Sequence, residues 1–166
     1  MPRKTQIPPP HLRKATAKDI PGLAEHHKKM FAELWELKGD HLHPTRAEEL
    51  AKAYAQKLAS ELEAGICKAW VVEDHDDIIA SGAMTLVDLV PTPTNLSCTA
   101  AYLHSIYTEK PHRRKKYAQR IVRSAVRYCK AKSIQFAFLH ASRQGEPVYQ
   151  KIGFSPAPDM MKLIIE

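Results

Sequence analysis

The residues from Pro111 to Val122, PHRRKKYAQRIV, set four cations in a row, Arg113, Arg114, Lys115 and Lys116, ahead of a segment with helical spacing. A strand, a basic turn and a helix N-terminus together are a physical recipe for holding phosphate. The free N–H groups of the first helical turn point outward, the helix dipole is positive there, and cations beside them add charge-assisted hydrogen bonds. A solvated surface run and a nucleic-acid contact compete for the same residues, and the run alone does not choose. One aromatic, Tyr117, is interleaved with the charges between Arg113 and Arg127. A base-stacking platform is therefore poorly supported, and no nucleic-acid partner is expected. Asp40, His41 and His43 are of metal-ligating type, but their spacing matches no ligand pattern; they are expected at a loop surface, with no metal.

The elements around this turn read from periodicity. His11 to Ala15 suits a short strand, and Thr16 with Asp19 suits a capping box. Ile20, Leu23, His27, Met30, Phe31 and Leu34 recur at helical spacing, giving a first helix to about Leu37 that Gly39 ends. Thr45 with Glu48 reads as a second capping box. Leu50, Tyr54, Leu58 and Leu62 share a face of the second helix, closed by Gly65. The period then changes. CKAWVVE and IIASGAMTLVDL, joined by DHDD, read as an antiparallel hairpin, and Thr99 to Thr108 as a further strand. From Ala118 the stripe Ile121, Val122, Ala125, Val126 and Cys129 marks an amphipathic helix. IQFAFLHA returns as a strand parallel to the one ending at Thr108, because a crossover lies between them. GEPVYQKIGF holds a short helix, with Pro147 in its first turn and Gly153 past its end, and MMKLII reads as a last strand. The order β-α-α-β-β-β-α-β-α-β implies an α/β (α+β) fold, a mixed central sheet with helices on both faces.

Composition sets the outer bounds. The chain has 166 residues, 44% hydrophobic and 26% charged, as expected of one globular domain. Residues 1–10 read as a disordered lead-in and 11–166 as a single domain. No apolar run approaches the roughly 20 residues that span a bilayer, so no membrane partner is expected. Net charge is +7, which favours an anionic partner without naming its class. Cys67, Cys98 and Cys129 stand singly and are odd in number, which points to a reducing, cytoplasmic setting.

Nearly the whole chain, weakly before Ala69, resembles the GNAT superfamily of acetyl-CoA-dependent N-acetyltransferases. That family's pyrophosphate loop follows a strand with the pattern Arg/Gln-x-x-Gly-x-Gly/Ala, and this chain offers Arg113-x-x-Lys116-x-Ala118. LHASRQGEPVYQKIGF, Leu139 to Phe154, is similar to the family's C-terminal motif. The likeness is best from Tyr102 to Phe154. One departure stands out: Lys116 occupies the place of a glycine that allows positive φ and close backbone approach.

The resemblance implies a GNAT-like fold and acetyl transfer from acetyl-CoA to a primary amine by direct attack in a ternary complex. Ile106, Tyr107 and Thr108 would pair with the pantetheine arm, and Arg113, Arg114, Lys115, Lys116, Tyr117 and Ala118 would meet the phosphates, with Gln119 at the edge. Tyr149 is the implied general acid toward the departing thiolate. His104 is a candidate base, placed by strand alternation on the face of Ile106. Glu109, Asp88, His41 and His43 are further titratable candidates for that base. His140, Ser142 and Arg143 would line the rim. The acceptor, a small-molecule or peptide amine, would meet the segments Trp35 to Arg46 and Asp88 to Cys98. Family members often dimerise, and MMKLII can contribute to a homodimer. The alternative is a catalytically inactive CoA-binding sensor or scaffold.

Overall fold

A computed structural model describes residues 9–165; most of the expected N-terminal lead-in lies outside the described residues. In chain order the elements are β1 (His11–Lys14), α1 (Ile20–Glu36), α2 (Pro44–Glu63), β2 (Cys67–Asp74), β3 (Asp77–Asp88), β4 (Thr99–Thr108), α3 (Tyr117–Ala131), β5 (Phe136–Leu139) and α4 (Glu146–Gln150).

The capping box at Thr16 forms: the Asp19 carboxylate accepts from the Thr16 N–H at 2.7 Å and from its hydroxyl at 3.1 Å. Arg13 adds a two-pronged ion pair to Asp19 at 2.8 Å and reaches Glu73 at 2.7 Å, tying β1 to the start of α1 and to β2. The second cap differs from expectation. Pro44 occupies the first helical turn, so α2 begins one residue before Thr45, and the His43 ring accepts from the Thr45 N–H at 3.3 Å. Proline's fixed φ and missing N–H suit it to that place.

The five strands lie in the order β1-β2-β3-β4-β5. The first three pairings are antiparallel, and β4 with β5 is parallel. The crossover helix α3 covers one face, where Ile121, Val122, Ala125 and Cys129 meet Met84 and Leu103. The first two helices cover the other, where Leu23, Tyr54 and Leu58 meet Cys67, Val71 and Ala83. Two continuous apolar clusters on one sheet are what the alternating burial of β2 to β4 requires.

One expected element does not form: residues 160–165 pair with no strand, and Met161, Leu163 and Ile165 are 95%, 84% and 86% exposed. Pro156 and Pro158 stand in the stretch that leads there. Proline cannot donate to a ladder, which leaves that stretch unsuited to strand pairing.

Two local features shape the site. Pairing of β3 with β4 slips between Ser81, opposite Tyr107, and Ala83, opposite His104, so Ser105 and Ile106 both face Gly82. This is a β-bulge, and Ser105 holds it with φ at 56°. Gly82 is required opposite the bulge: a Cβ there would stand 2.8 Å from Ile121 Cγ2 and 3.0 Å from Ile106 Cγ1. Secondly, β4 and β5 pair only from Ala100 with Phe136 to Leu103 with Leu139. Beyond that point the strands part.

Candidate active site

Where the strands part, the edge of β4 from His104 to Thr108 has no strand partner on the β5 side among the described residues. A cavity of about 530 Å³ follows, lined by Ile106, Thr108, Arg113, Arg114 and Tyr117 on one wall and by Gly145 and Val148 on the other. The basic turn closes its end. Arg114 and Lys116 both take φ of 65°, and Lys116 is the N-cap of α3. The turn therefore needs the left-handed conformation that glycine supplies freely, and lysine adopts it under strain. Among the described residues, the backbone N–H groups of Arg114, Lys115 and Lys116 find no acceptor. Those of Tyr117, Ala118 and Gln119 open the helix, where no intrahelical acceptor exists. A row of free donors at a positive helix end, flanked by cations, is an arrangement able to hold an anion.

Arg113 is placed differently from the other cations. Its guanidinium donates to the Thr108 carbonyl at 2.9 Å and to both oxygens of Glu33 at 2.8 and 2.7 Å, and lies over the Tyr107 ring at 5.4 Å. The Tyr107 hydroxyl donates to the same carboxylate at 2.8 Å. Arg113 thus ties the turn to β4 and α1.

The bulge separates His104 from Ile106. Ile106 packs on the α3 side, whereas His104 faces α2, so the expected shared face is overturned. Two residues against one at Gly82 reverse the alternation between positions 104 and 106. A polar chain then fixes the imidazole. Glu61, ion-paired with Lys57, only accepts, so the Thr85 hydroxyl donates to it at 2.7 Å. Thr85 Oγ1 lies 3.0 Å from His104 Nε2 and must accept its proton. Nδ1 is left as the acceptor, 3.1 Å from Ser105 Oγ and 3.3 Å from the Tyr54 hydroxyl. Burial pulls the His104 pKa down to about 4, against the opposing charge of Glu61, so the ring is neutral at pH 7. Burial pushes the Glu61 carboxyl up, but hydrogen bonds from Lys57 and Thr85 outweigh it and hold the group below its usual range. His27 sits on the far side of Ser105, 2.8 Å from its hydroxyl, and is likewise drawn down by burial to about 4.

The remaining candidates divide. Tyr149 sits on α4 beside Phe154, in a neighbouring groove; burial raises its pKa, and its hydroxyl makes no hydrogen bond among the described residues. Ser142 lines the cleft and caps α4, accepting from the Gly145 N–H at 3.1 Å. His140 is exposed, edge-on to Tyr102 at 5.8 Å. Glu109 is held by Lys29 at 2.6 Å and lies 3.3 Å from the His26 ring. Asp88 and His41 are exposed and stand outside the cleft lining. Among the described residues, no group of three His, Cys, Asp or Glu side chains is placed to hold a metal. No described helix is long and apolar enough to cross a membrane. Sequence reasoning missed Ser105, Glu33, Thr85 and Glu61. Their roles arise from contacts between distant segments, and no local signal marks them.

Comparison with known proteins accounts for this geometry. Residues 11–157 match the family model of the acetyltransferase (GNAT) domain, so the chain belongs to that family. It is an acetyltransferase by class, with the family's mixed-sheet fold. A predicted acetyltransferase with acetyl-CoA from Clostridium acetobutylicum shares 29% identity, covering 94% of this chain and 96% of that one, with a TM-score of 0.79. A GCN5-related N-acetyltransferase from Ralstonia eutropha JMP134 is 24% identical over 94% and 99% of the two chains, TM-score 0.82. Glucosamine-6-phosphate N-acetyltransferase from Arabidopsis thaliana, at 16% identity over 96% and 100% and a TM-score of 0.69, shares the fold. No curated protein matches the chain.

Proposed function

We propose that the protein transfers the acetyl group of acetyl-CoA to a primary amine by direct attack in a ternary complex. The observation that carries this reading is the parting of β4 from β5 after Leu103, which leaves a free strand edge leading to unfilled N–H donors at Arg114 to Lys116. Pantetheine runs along Ile106, Tyr107 and Thr108 as an added strand. The diphosphate meets the backbone donors and the charges of Arg114, Lys115 and Lys116, while Arg113 braces the turn. The solved relative with acetyl-CoA supports that donor.

The amine nitrogen attacks the thioester carbonyl, the C–N bond forms and the C–S bond breaks. A backbone N–H at the bulge stabilises the developing oxyanion. The proton lost from nitrogen passes through Ser105 to His104 Nδ1, the one ring nitrogen with a free lone pair in the tautomer that Glu61 and Thr85 impose. The Tyr149 hydroxyl, without an internal partner, protonates the departing thiolate. A homodimer that includes residues 160–165 belongs to the same reading, and a light-scattering mass of twice 18.8 kDa would support it.

Thermal unfolding with acetyl-CoA, CoA and ATP, followed by an amine screen, tests the proposal. Stabilisation by acetyl-CoA and CoA together with thiol release in the presence of an amine is expected. Stabilisation without turnover of any amine would instead identify a CoA-binding sensor or scaffold.

A further inference from the structure

Beside His104 the sheet carries a row of rings that the chemistry above does not use. Tyr102 stacks on Phe138 at 5.1 Å and 22°, and Phe138 on Phe136 at 5.9 Å and 24°. The His140 ring stands at 81° to Tyr102, and His104 follows at 5.4 Å. All five project from one face of β4 and β5. Ala137 and Leu139, which alternate with the phenylalanines, pack into the α3 cluster on the opposite face. Buried apolar rings at this position would be ordinary core, yet these are not covered. Tyr102 and Phe138 are half-buried, Phe136 is 45% exposed and His140 is exposed.

We propose that this ring surface is the acceptor site and that it selects a small arylalkylamine: a flat aromatic group laid across the outward edges of Tyr102 and Phe138, with its amine carried to Ser105 and His104. This rests on the acetyl-transfer reading and names its substrate class. Three observations converge. The rings are continuous with the parting of the strands, since Tyr102 and Phe138 are register partners one step before the last pair. The 5.4 Å from Tyr102 to His104 is about three or four single bonds of ~1.5 Å, the reach of a short alkyl linker. The outward ring edges carry the positive rim of the quadrupole and attract the face of an incoming aromatic ring in an edge-to-face pair. The carboxylate nearest in the hydrogen-bonded chain, Glu61, is held by Lys57 and Thr85, so the extra ammonium groups of a polyamine gain no partner from it.

The test is steady-state kinetics at saturating acetyl-CoA with 2-phenylethylamine, propylamine, spermidine and glucosamine 6-phosphate. The expected result is a kcat/KM for 2-phenylethylamine about 10-fold above that for propylamine, from edge-to-face contact with two rings. In Tyr102→Ala, and in the milder Phe138→Leu should the first fail to fold, that ratio should move toward one while acetyl-CoA still raises the melting temperature. A ratio of one in the wild type, a preference for spermidine or the sugar phosphate, or an unchanged ratio in both folded variants overturns the assignment and leaves acetyl transfer standing. Binding of acetyl-CoA with no amine accepted removes the proposed function, and this inference with it.

Discussion

Tyr149 and His104 sit in contrasting environments, and that contrast decides what each can do. The Tyr149 phenol has no internal acceptor, and burial keeps it protonated well above neutral pH. Tyr149→Phe removes one proton donor and little volume. It should lower kcat about 10- to 100-fold while leaving the KM for acetyl-CoA near wild type, as steady-state kinetics would show; an unchanged kcat would remove Tyr149 from the mechanism. His104, by contrast, is held in one tautomer by Thr85 and Glu61, so its usable nitrogen is fixed by residues far away in sequence. An imidazole whose pKa lies near 4 is neutral across the neutral range but a weak base there, so His104 orients and relays the proton rather than retaining it.

The loop between β4 and α3 is an element with two jobs, and two substitutions separate them. Lys116 holds φ of 65°, a conformation that penalises any residue with a Cβ by roughly 1–2 kcal/mol. Lys116→Gly should therefore be more stable than Lys116→Ala by about 1 kcal/mol in urea unfolding, although both lose the same charge. Equal stabilities would mean that the turn does not need the left-handed conformation. Arg113→Ala acts on the brace instead. It strips Thr108 and Glu33 of a shared partner, so it should cost about 1 kcal/mol of stability as well as cofactor affinity, read by denaturation and by the acetyl-CoA-dependent melting shift. A loss of affinity with stability untouched would show that the guanidinium leaves Glu33 for phosphate.

At the scale of the whole molecule, the imidazoles buried under α1 and α2 make stability depend on pH. His27 and His104 titrate near 4 in the folded chain and near 6.5 when unfolded. Between those values the unfolded chain binds more protons, so stability is full above about pH 6.5 and falls as pH drops toward 4. The loss should be on the order of a few kcal/mol, measured by urea unfolding at pH 7.5, 6 and 5. His104→Gln should flatten the slope, and a slope identical to wild type would mean that His104 titrates normally. Asp19 acts lower down. Its hydrogen bonds to Arg13, working against burial, hold the carboxyl at about 2, so its contribution is present above about pH 4 and fades toward 2. Asp19→Asn separates the two windows.

Local chemistry made much of this protein legible from its residues. Hydrophobic periodicity marked out α1 to α3 and the strands β1 to β5, and the basic run marked a turn that leads into a helix N-terminus. Those signals are written in spacing and in backbone donors, so they survive without knowledge of contacts. The tertiary structure decided the rest. Strand alternation places His104 with Ile106, but a bulge at Ser105, opposite Gly82, separates them, and no local signal marks such a register slip. The sequence marks Arg113 as a phosphate ligand, yet its guanidinium lies on Glu33 of α1, and only packing brings the two together. Residues 160–165 have the composition of a strand, but a strand needs a neighbour, and pairing is a property of two segments rather than one.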